Sequence, residues 1–383
     1  MSNDVFITKI AAFLPNEPVS NDEIESVLGR INNKRSRALS IVLRNNGIKS
    51  RHYVIDKQTG RPRYNNAQLT AEAVRGLQDD RFSLNEIDCL CCGTTTPDQI
   101  APGHAAMVHG ELGNPPCEVV SLMGICASSV SALKYGYMNV MSGYSNKAVV
   151  TGSEVSSLAL RASAYTSTRD AEAADELVRR PELAFEKDFL RWMLSDGAGA
   201  MLLEKEPAPN RLSLRIDWIE LVSFANLQET CMYAGAEKDA QGQLMGWREL
   251  PLQDMMAQDI LALKQDVKLL NKHIVPLTVE RALAMVSDKR RLTSEDIDYF
   301  LPHMSSEYFR DKLAQGLDNI GFSIPQEKWF SNLTTKGNTG AASFYIMLEE
   351  LFNSGRLEKG QRLLCFVPES GRFTSSFTLL TVV

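Results

Sequence analysis

The sequence predicts an α/β layered fold that is built from two related halves. Three observations predict it. Helical and strand patterns alternate along the chain, which favours mixed sheets covered by helices. Two stretches of the first half recur about 210 positions later, in the same order. Finally, 383 residues are too many for one small hydrophobic core.

The first recurring stretch covers residues 69–96 and 277–306. Each copy begins with apolar residues at helical spacing, passes through a polar turn and reaches an Ile-Asp pair. A short apolar strand follows each pair. Asp88 and Asp298, the acidic members of the two pairs, lie 210 positions apart. The recurrence therefore predicts a duplicated unit in which a helix leads into a strand.

The second recurring stretch predicts a helix that starts at Cys126 in one copy and at Asn338 in the other. These two residues lie 212 positions apart. The helices are predicted to end at Gly143 and Gly355, since glycine tolerates the left-handed conformation of a C-terminal cap. A strand follows each helix. An internal repeat of this kind indicates the overall architecture of the chain more strongly than any local motif does.

We place the boundary between the halves at Pro207-Ala208-Pro209-Asn210, which breaks the strand pattern. The N-terminal half is then residues 1–207 and the C-terminal half residues 208–383. Within the N-terminal half, residues from about 158 to 193 are rich in Ala, Glu, Arg and Leu and predict a helical insertion.

Composition excludes several classes of protein. A net charge of −6 argues against nucleic acid as the main partner. No apolar run approaches the roughly 20 residues that span a bilayer, and the start of the chain lacks the pattern of a signal peptide. Seven cysteines fit reduced thiols, so we expect a cytoplasmic protein. Cys89 and Cys92 form a CxxC pair, but they lie in an apolar strand pattern, so we expect buried thiols and no metal.

Cys126 is a candidate nucleophile because it stands where an apolar run gives way to a helix of small residues. A free thiol has a pKa near ~8.5 and reacts as the thiolate. The positive end of a helix dipole favours the negative sulfur, so the sequence predicts a lowered pKa for Cys126. Taken alone, the residue is equally well explained as a buried small hydrophobe.

Two partners for the thiol follow from the same pattern. His303 ends the predicted strand of the second repeat, where a neutral imidazole can donate a hydrogen bond or stabilise negative charge. Asn338 offers an amide donor at the helix start that corresponds to Cys126. Each alone has an ordinary explanation, a structural histidine or a helix cap. The combination at duplicated positions indicates a site that handles thioesters.

The segments Gly124-Ile125-Cys126-Ala127-Ser128-Ser129, Leu301-Pro302-His303 and Lys336-Gly337-Asn338-Thr339-Gly340-Ala341-Ala342-Ser343 resemble the active-site segments of the ketoacyl-acyl-carrier-protein synthase III group of the thiolase superfamily. The resemblance covers the whole chain. It implies a thiolase fold of five αβαβα layers with mixed five-stranded sheets, a homodimer, and acyl thioester substrates without a further cofactor. It also implies an acyl group on Cys126, enolate stabilisation by His303 and Asn338, and an oxyanion hole from the backbone N–H groups of Cys126 and Gly371.

Departures from this pattern favour a specialised branch of the family. Ile41 and Asn45 stand where members primed by coenzyme A often carry Trp and Arg. The chain is most similar to ketosynthase/cyclases that form a 1,3-cyclohexanedione on the way to dialkylresorcinols and stilbenes. Ring closure needs a second proton transfer, and Glu154 is our candidate base, with a structural acceptor as the equal alternative. Arg372 either binds a substrate carboxylate or forms a surface ion pair.

An acidic acyl carrier protein is the expected macromolecular partner, and a basic patch would be its docking site. The densest candidate is Lys34, Arg35, Arg37 and Arg44. Alternative functions are a plain 3-oxoacyl-acyl-carrier-protein synthase III that starts fatty-acid or polyketide chains, and an acyltransferase without condensation. A non-catalytic partner subunit is disfavoured because all three catalytic residue types are present. A cysteine hydrolase is disfavoured by the duplication.

Overall fold

The computed structural model of the chain describes residues 4–33, 36, 39–164, 190–239, 241–257 and 259–383. Its strands are β1 (Phe6–Phe13), β2 (Val19–Ser20), β3 (Ser50–Arg51), β4 (Cys89–Thr94), β5 (Glu118–Met123), β6 (Lys147–Glu154), β7 (Gly197–Glu204), β8 (Leu214–Ser223), β9 (Met232–Tyr233), β10 (Ala236–Lys238), β11 (Leu244–Gly246), β12 (Lys264–Gln265), β13 (Tyr299–Pro302), β14 (Arg362–Glu369) and β15 (Thr374–Val382).

The α-helices of the described residues are α1 (Ile24–Leu28), α2 (Leu39–Asn46), α3 (Asn66–Arg75), α4 (His104–Leu112), α5 (Ser128–Ser142), α6 (Ser157–Leu160), α7 (Leu252–Ala257), α8 (Val267–Val275), α9 (Ala282–Arg290), α10 (Arg310–Asn319), α11 (Leu333–Lys336) and α12 (Ser343–Phe352). A π-helical segment, Pro276–Arg281, joins α8 to α9. Short 3-10 turns include Gly340–Ala342 directly before α12.

In the part of the chain that the structure describes, nine strands form one continuous sheet in the order β13-β14-β15-β8-β1-β7-β6-β4-β5. The run β4-β6-β7-β1 corresponds to the run β13-β14-β15-β8. In each run the first pair is parallel and the next two pairs are antiparallel. β1 and β8 join the halves through the pairs Phe6↔Arg215 and Ile7↔Leu214. The predicted duplicated α/β fold is confirmed.

The hydrophobic core divides into three clusters because successive residues of a strand point to opposite faces. In β4, Cys91 faces a central cluster with α5 and α12, whereas Cys92 faces α3 and α4. In β14, Cys365 joins the same central cluster, whereas Phe366 packs with α8, α9 and α10. Helices therefore cover both outer faces and fill the space between the two half-sheets, which makes five layers.

The two half-sheets are not equal in size. β5 forms the edge of the N-terminal half, but its counterpart in the C-terminal half is reduced to one bridge between Phe300 and Trp329. The preceding residues are Pro325, which has no N–H to donate, and the 3-10 turn Gln326–Lys328. Among the described residues, the C-terminal half thus contributes four strands to the large sheet where the family resemblance implies five.

The residues predicted to separate the halves lie in the connection between β7 and β8. The predicted helical insertion at 158–193 is described only at its ends, by α6 with the turn Ala162–Ala164 and by residues 190–193. Residues 165–189 lie outside the described residues. Among the described helices, none is both long and apolar enough to cross a bilayer.

Candidate active site

Cys126 lies in the turn between β5 and α5. The helix begins at Ser128, two residues later than the sequence predicts, and the Ser128 hydroxyl donates to the Ile125 carbonyl at 2.8 Å. The turn packs directly on β4, since a Cβ added to Gly93 would lie 2.6 Å from the Ser128 carbonyl oxygen. Gly93 thus permits the close approach of the turn to β4. The Cys126 side chain is half-buried in this turn.

The carboxylate of Glu369 occupies the N-terminal end of α5. Its Oε2 accepts hydrogen bonds from the backbone N–H of Ile125 at 3.3 Å and of Ala127 at 3.1 Å. Glu369 is the last residue of β14, in the other half of the chain. Burial raises the pKa of this carboxyl, and the two backbone hydrogen bonds act in the opposite direction. Backbone donors at the helix start, which can stabilise an anion, are therefore already engaged.

The electrostatic environment of Cys126 is the reverse of the one predicted from the sequence. Burial raises the pKa of the Cys126 thiol well above its ordinary value, and the charges of Glu369 and Glu154 raise it further. The prediction of a lowered pKa is wrong because the thiol is buried and because a carboxylate lies at the helix end beside it. Cys126 is consequently a thiol, not a thiolate, at neutral pH.

His303 follows β13 directly. Its backbone N–H donates to the Phe366 carbonyl at 2.8 Å, which ties the end of β13 to β14. The side chain is 5% exposed. Burial lowers the pKa of the imidazole to about 4, so the ring is neutral near pH 7. A neutral imidazole has one nitrogen that accepts a proton and one that donates a hydrogen bond.

Asn338 is held by its own backbone and side chain. Its N–H donates to the Met193 carbonyl at 3.0 Å, and its carbonyl accepts from the Ser195 N–H at 2.8 Å. Its Oδ1 accepts from the Gly340 N–H at 2.9 Å. Because the amide oxygen is engaged, the Nδ2 group is the part of the side chain that can donate to a substrate.

Cys126, His303 and Asn338 line one cavity, which encloses about 840 Å³ of empty space including its open mouth. Three separate elements bring them together, since the residues follow β5, follow β13 and precede α12. Most of the wall is apolar: Leu190, Met193, Leu194, Met232, Leu263, Leu270, Ile274, Val275, Val279, Met304, Phe309, Leu313 and Phe366. A large apolar cavity with a few polar groups is suited to an acyl chain whose reactive carbonyl lies among those groups.

Glu154 ends β6 and lines the same cavity. It is 2% exposed. Its Oε1 accepts a hydrogen bond from the Thr96 hydroxyl, and its Oε2 accepts from the Ala341 N–H at 3.3 Å. Burial raises the pKa of the carboxyl, and hydrogen bonds from Thr96 and Thr95 counteract that. Both predicted roles, base and structural acceptor, are compatible with this position.

Gly371 lies against the nucleophile turn, because a Cβ added to it would meet Ile125 Cγ1 at 2.8 Å. Its carbonyl accepts from the N–H groups of Cys231 and Met232 at 2.8 and 3.2 Å, which fixes the loop after β14. Arg372, the next residue, is exposed. Its Nε donates to the Gln228 carbonyl at 2.8 Å, and it is not among the described residues that line the cavity.

The predicted docking patch for a carrier protein is described only in part. Lys34, Arg35 and Arg37 lie outside the described residues, and Arg44 is exposed on α2. The CxxC thiols are buried in β4, where Cys89 faces the central cluster and Cys92 faces the opposite side of the sheet. These two side chains therefore cannot bind a common ion.

Glu369 is the functional candidate that the sequence analysis missed. β6 and β14 both contain eight residues and occupy equivalent places in the two half-sheets. Glu154 and Glu369 are the last residues of these strands, 215 positions apart. The duplication that connected Cys126 with Asn338 could also have connected these two glutamates, because it predicts the strands that carry them.

Comparisons with known proteins agree with this geometry. The family model described as 3-oxoacyl-[acyl-carrier-protein] synthase III C terminal matches residues 287–377. The β-ketoacyl-[acyl-carrier-protein] synthase III of Xanthomonas campestris pv. campestris is 27% identical over 377 residues, which cover 98% of this chain and 97% of that protein. The synthase III of Koribacter versatilis is 25% identical over 375 residues, with 98% and 96% covered.

Solved structures show the same fold. The tetronic acid condensing enzyme AbyA1 superposes with a TM-score of 0.75 at 21% identity, covering 98% of this chain and 99% of that one. OleA of Xanthomonas campestris with bound lauric acid and lauroyl-CoA has a TM-score of 0.72 at 18% identity, with 99% of both chains covered. The 3-oxoacyl-[acyl-carrier-protein] synthase III of Aquifex aeolicus has a TM-score of 0.69 at 20% identity, with 98% and 99% covered.

The duplicated halves, the apolar cavity and the full-length similarity lead to one conclusion. This chain has the thiolase-like α/β fold, and over nearly its whole length it is similar to β-ketoacyl-[acyl-carrier-protein] synthase III.

Proposed function

We propose that this enzyme joins two acyl thioesters through a new carbon-carbon bond and closes the product to a 1,3-cyclohexanedione, as in dialkylresorcinol formation. One observation carries the proposal. Cys126, His303 and Asn338 surround a large apolar cavity that also contains the buried carboxyl of Glu154. The first three residues supply condensation chemistry, and the fourth supplies a group for a further proton transfer.

The first step loads Cys126. The sulfur attacks the carbonyl carbon of an acyl thioester, the new carbon-sulfur bond forms, and the carrier's thiol leaves. Because Cys126 is a thiol at neutral pH, its proton must move to the departing sulfur, and neutral His303 can accept and return it. The backbone N–H groups of Cys126 and Gly371 stabilise the oxyanion in this proposal.

The second step makes the carbon-carbon bond. A second thioester, carrying a 3-oxoacyl group, passes the proton on the carbon between its two carbonyls to neutral His303, which later returns it to the departing sulfur of Cys126, and becomes an enolate. His303 and the Nδ2 group of Asn338 donate hydrogen bonds to the enolate oxygen. The carbanion attacks the acyl carbonyl on Cys126, and the sulfur leaves and takes up a proton.

Glu154 is the proposed base for ring closure. Its carboxyl faces the cavity and has a raised pKa caused by burial, so it exchanges a proton more readily near neutral pH than an exposed carboxylate does. Glu154 removes a proton from the linear product, and the resulting carbanion adds to the carbon-carbon double bond contributed by a 2-enoyl group. The π bond breaks as the ring closes, and the proton returns from Glu154 to the neighbouring carbon. Without this proton transfer the product would remain linear.

An acyl carrier protein is the proposed thioester carrier, and no further cofactor is proposed. The relatives above are named for acyl carrier protein. Ile41 and Asn45, which replace the Trp and Arg of members primed by coenzyme A, are exposed on α2. A basic patch of Lys34, Arg35, Arg37 and Arg44 is the proposed docking site for the acidic carrier.

A cytoplasmic homodimer is the proposed assembly. β5 forms the open edge of the sheet, and Met123 on this strand is 77% exposed, so a second copy is needed to cover it. Seven free cysteines fit a reducing compartment.

Mass spectrometry tests the function directly. The enzyme is incubated with acyl carrier protein that bears a 3-oxoacyl group and with a carrier-bound 2-enoyl partner. A cyclic dione supports the proposal, whereas a linear 3-oxoacyl product selects the plain synthase III reaction that the relatives' names suggest. Acyl mass on Cys126 that never passes to carbon would select simple acyl transfer. If the wild type shows no more acylation than Cys126→Ala, every one of these reactions is excluded.

The same assay separates the two roles of Glu154. In Glu154→Gln, which keeps an acceptor oxygen for Thr96 and Ala341, we expect the linear product to accumulate while acyl loading continues. An unchanged yield of cyclic product would assign Glu154 a structural role.

A further inference from the structure

We infer that Glu369 is a positioning residue of the nucleophile turn, and that its charge keeps Cys126 in the thiol form at rest. The inference rests on the role proposed for Cys126 above. It concerns the state of the free enzyme before any substrate binds.

The first support is the hydrogen bonding of the turn. Glu369 Oε2 accepts from the N–H groups of Ile125 and Ala127, which flank Cys126 on both sides. The N-cap residue Ala127 has no side-chain oxygen to perform this function. A carboxylate from the opposite half of the chain therefore caps the helix that carries the nucleophile.

The second support is a matching arrangement in the other half. Glu154 ends β6 as Glu369 ends β14, and Glu154 accepts from the Ala341 N–H beside Asn338. Each half thus extends one carboxylate into the turn of the other half. The exchange between the halves is therefore reciprocal.

The third support is the position of Glu369 behind the turn. A Cβ added to Gly124 would lie 3.8 Å from its Oε2, and one added to Gly371 would lie 3.2 Å from its Oε1. Glu369 is not among the described residues that line the cavity, whereas Glu154 is. It therefore acts through Cys126 and does not touch the acyl group.

Burial is the largest cause of the raised pKa of Cys126, and the charges of Glu369 and Glu154 add to it. Glu369 approaches from β14, Glu154 from β6, and His303 follows β13. His303 is neutral above about pH 5 because burial lowers its pKa to about 4. Among the described residues, the charges that act on the sulfur are those of two carboxylates, and negative charge nearby disfavours a thiolate. A thiol reacts slowly with oxidants and alkylating agents, so the nucleophile is protected until a thioester binds.

The test follows iodoacetamide alkylation of Cys126 from about pH 6 to about pH 10, the range in which thiols ionise. Peptide mass spectrometry measures the alkylated fraction of Cys126 separately from that of the other cysteines. Glu369→Gln keeps an oxygen that can accept from Ile125 and Ala127 but removes the charge. We expect alkylation at pH 7.5 to become about tenfold faster, which corresponds to a fall of about one unit in the pKa of Cys126. Glu206→Gln, at an exposed site, is the matched control and should leave the profile unchanged.

An alkylation profile in Glu369→Gln that superimposes on the wild type would overturn the inference. Glu369→Asp, which retains the charge, covers the case in which Glu369→Gln does not fold. Its alkylation at pH 7.5 should stay within about twofold of the wild type if charge is the cause, and a tenfold increase would contradict that. Alkylation needs no acyl substrate. A shifted pKa without acyl loading would therefore support the role of Glu369 and refute the proposed function.

Discussion

The two turns that precede α5 and α12 occupy equivalent places in the duplicated fold but serve different chemistry. The turn before α5 presents the thiol of Cys126, and the turn before α12 presents the amide of Asn338. Each is hydrogen-bonded by a glutamate from the end of a strand in the other half, Glu369 or Glu154. A carboxylate from the other half holds each turn, and in the function proposed above the side chains decide which turn binds the acyl group and which stabilises the enolate.

The turns also differ in backbone conformation. Gly340, beside Glu154, has a φ of +53°. By contrast, none of the described residues 124–128 around Cys126 has a positive φ. The amide turn is therefore specified by glycine, and the nucleophile turn by the carboxylate that caps it. A duplicated scaffold thus reaches similar geometry by two different local solutions.

The largest effect should come from the amide turn. In Asn338→Ala the enolate loses one donor, and we expect condensation to slow by about 10²–10³-fold, the usual result of removing one oxyanion donor. Acyl loading of Cys126 should persist, because the thiol and its turn are intact. Separate measurement of acyl-enzyme and of product by mass spectrometry checks this.

Asn353→Ala, near the far end of α12, is the control and should retain both steps. If Asn338→Ala instead loses acyl loading, the two turns do not divide the chemistry as described.

A smaller effect is expected on stability at Gly340. A Cβ there would lie 2.6 Å from Glu154 Oε2, in addition to the strain of positive φ. Strain alone costs roughly 1 kcal/mol, so we expect Gly340→Ala to lose about 2 kcal/mol of unfolding free energy. Urea titration measures it. Gly321→Ala is the control for strain alone, because Gly321 has a φ of +69° and a Cβ added there would have no atom within 4 Å. Equal losses of unfolding free energy in the two variants would show that the contact with Glu154 contributes nothing.

The smallest effect concerns pH and His303. Its pKa is about 4 in the folded chain and about 6.5 in the unfolded chain. Below pH 6.5 the unfolded chain binds a proton that the folded chain does not, so stability falls as pH falls from about 6.5 to about 4. Between pH 7.5 and pH 5.5 the contribution is about 1.4 kcal/mol.

His303→Asn should lose this part of the pH dependence, as seen by urea unfolding at both pH values. His104, also buried with a pKa lowered to about 4, remains in the variant and cancels in the comparison. An identical pH dependence in wild type and variant would show that His303 titrates as an exposed histidine.

Sequence reasoning reached the central site but not its electrostatics. The spacing of Cys126 and Asn338 and the strand before His303 predicted residues that the structure places on one cavity. The prediction of a lowered pKa for the Cys126 thiol was wrong, because it considered only the helix that follows Cys126. Glu369 lies 243 positions away and reaches the turn only through the packing of the two halves.

The sequence by itself determined the duplicated α/β order of elements and the types of reactive side chain, because these depend on local periodicity and on repeated spacing. Only the tertiary structure decided which charges surround the sulfur and which side chains form the apolar wall of the cavity. It also reduced the fifth strand of the C-terminal half to a single bridge. Such properties depend on burial and on contacts between distant segments, and no local pattern encodes them.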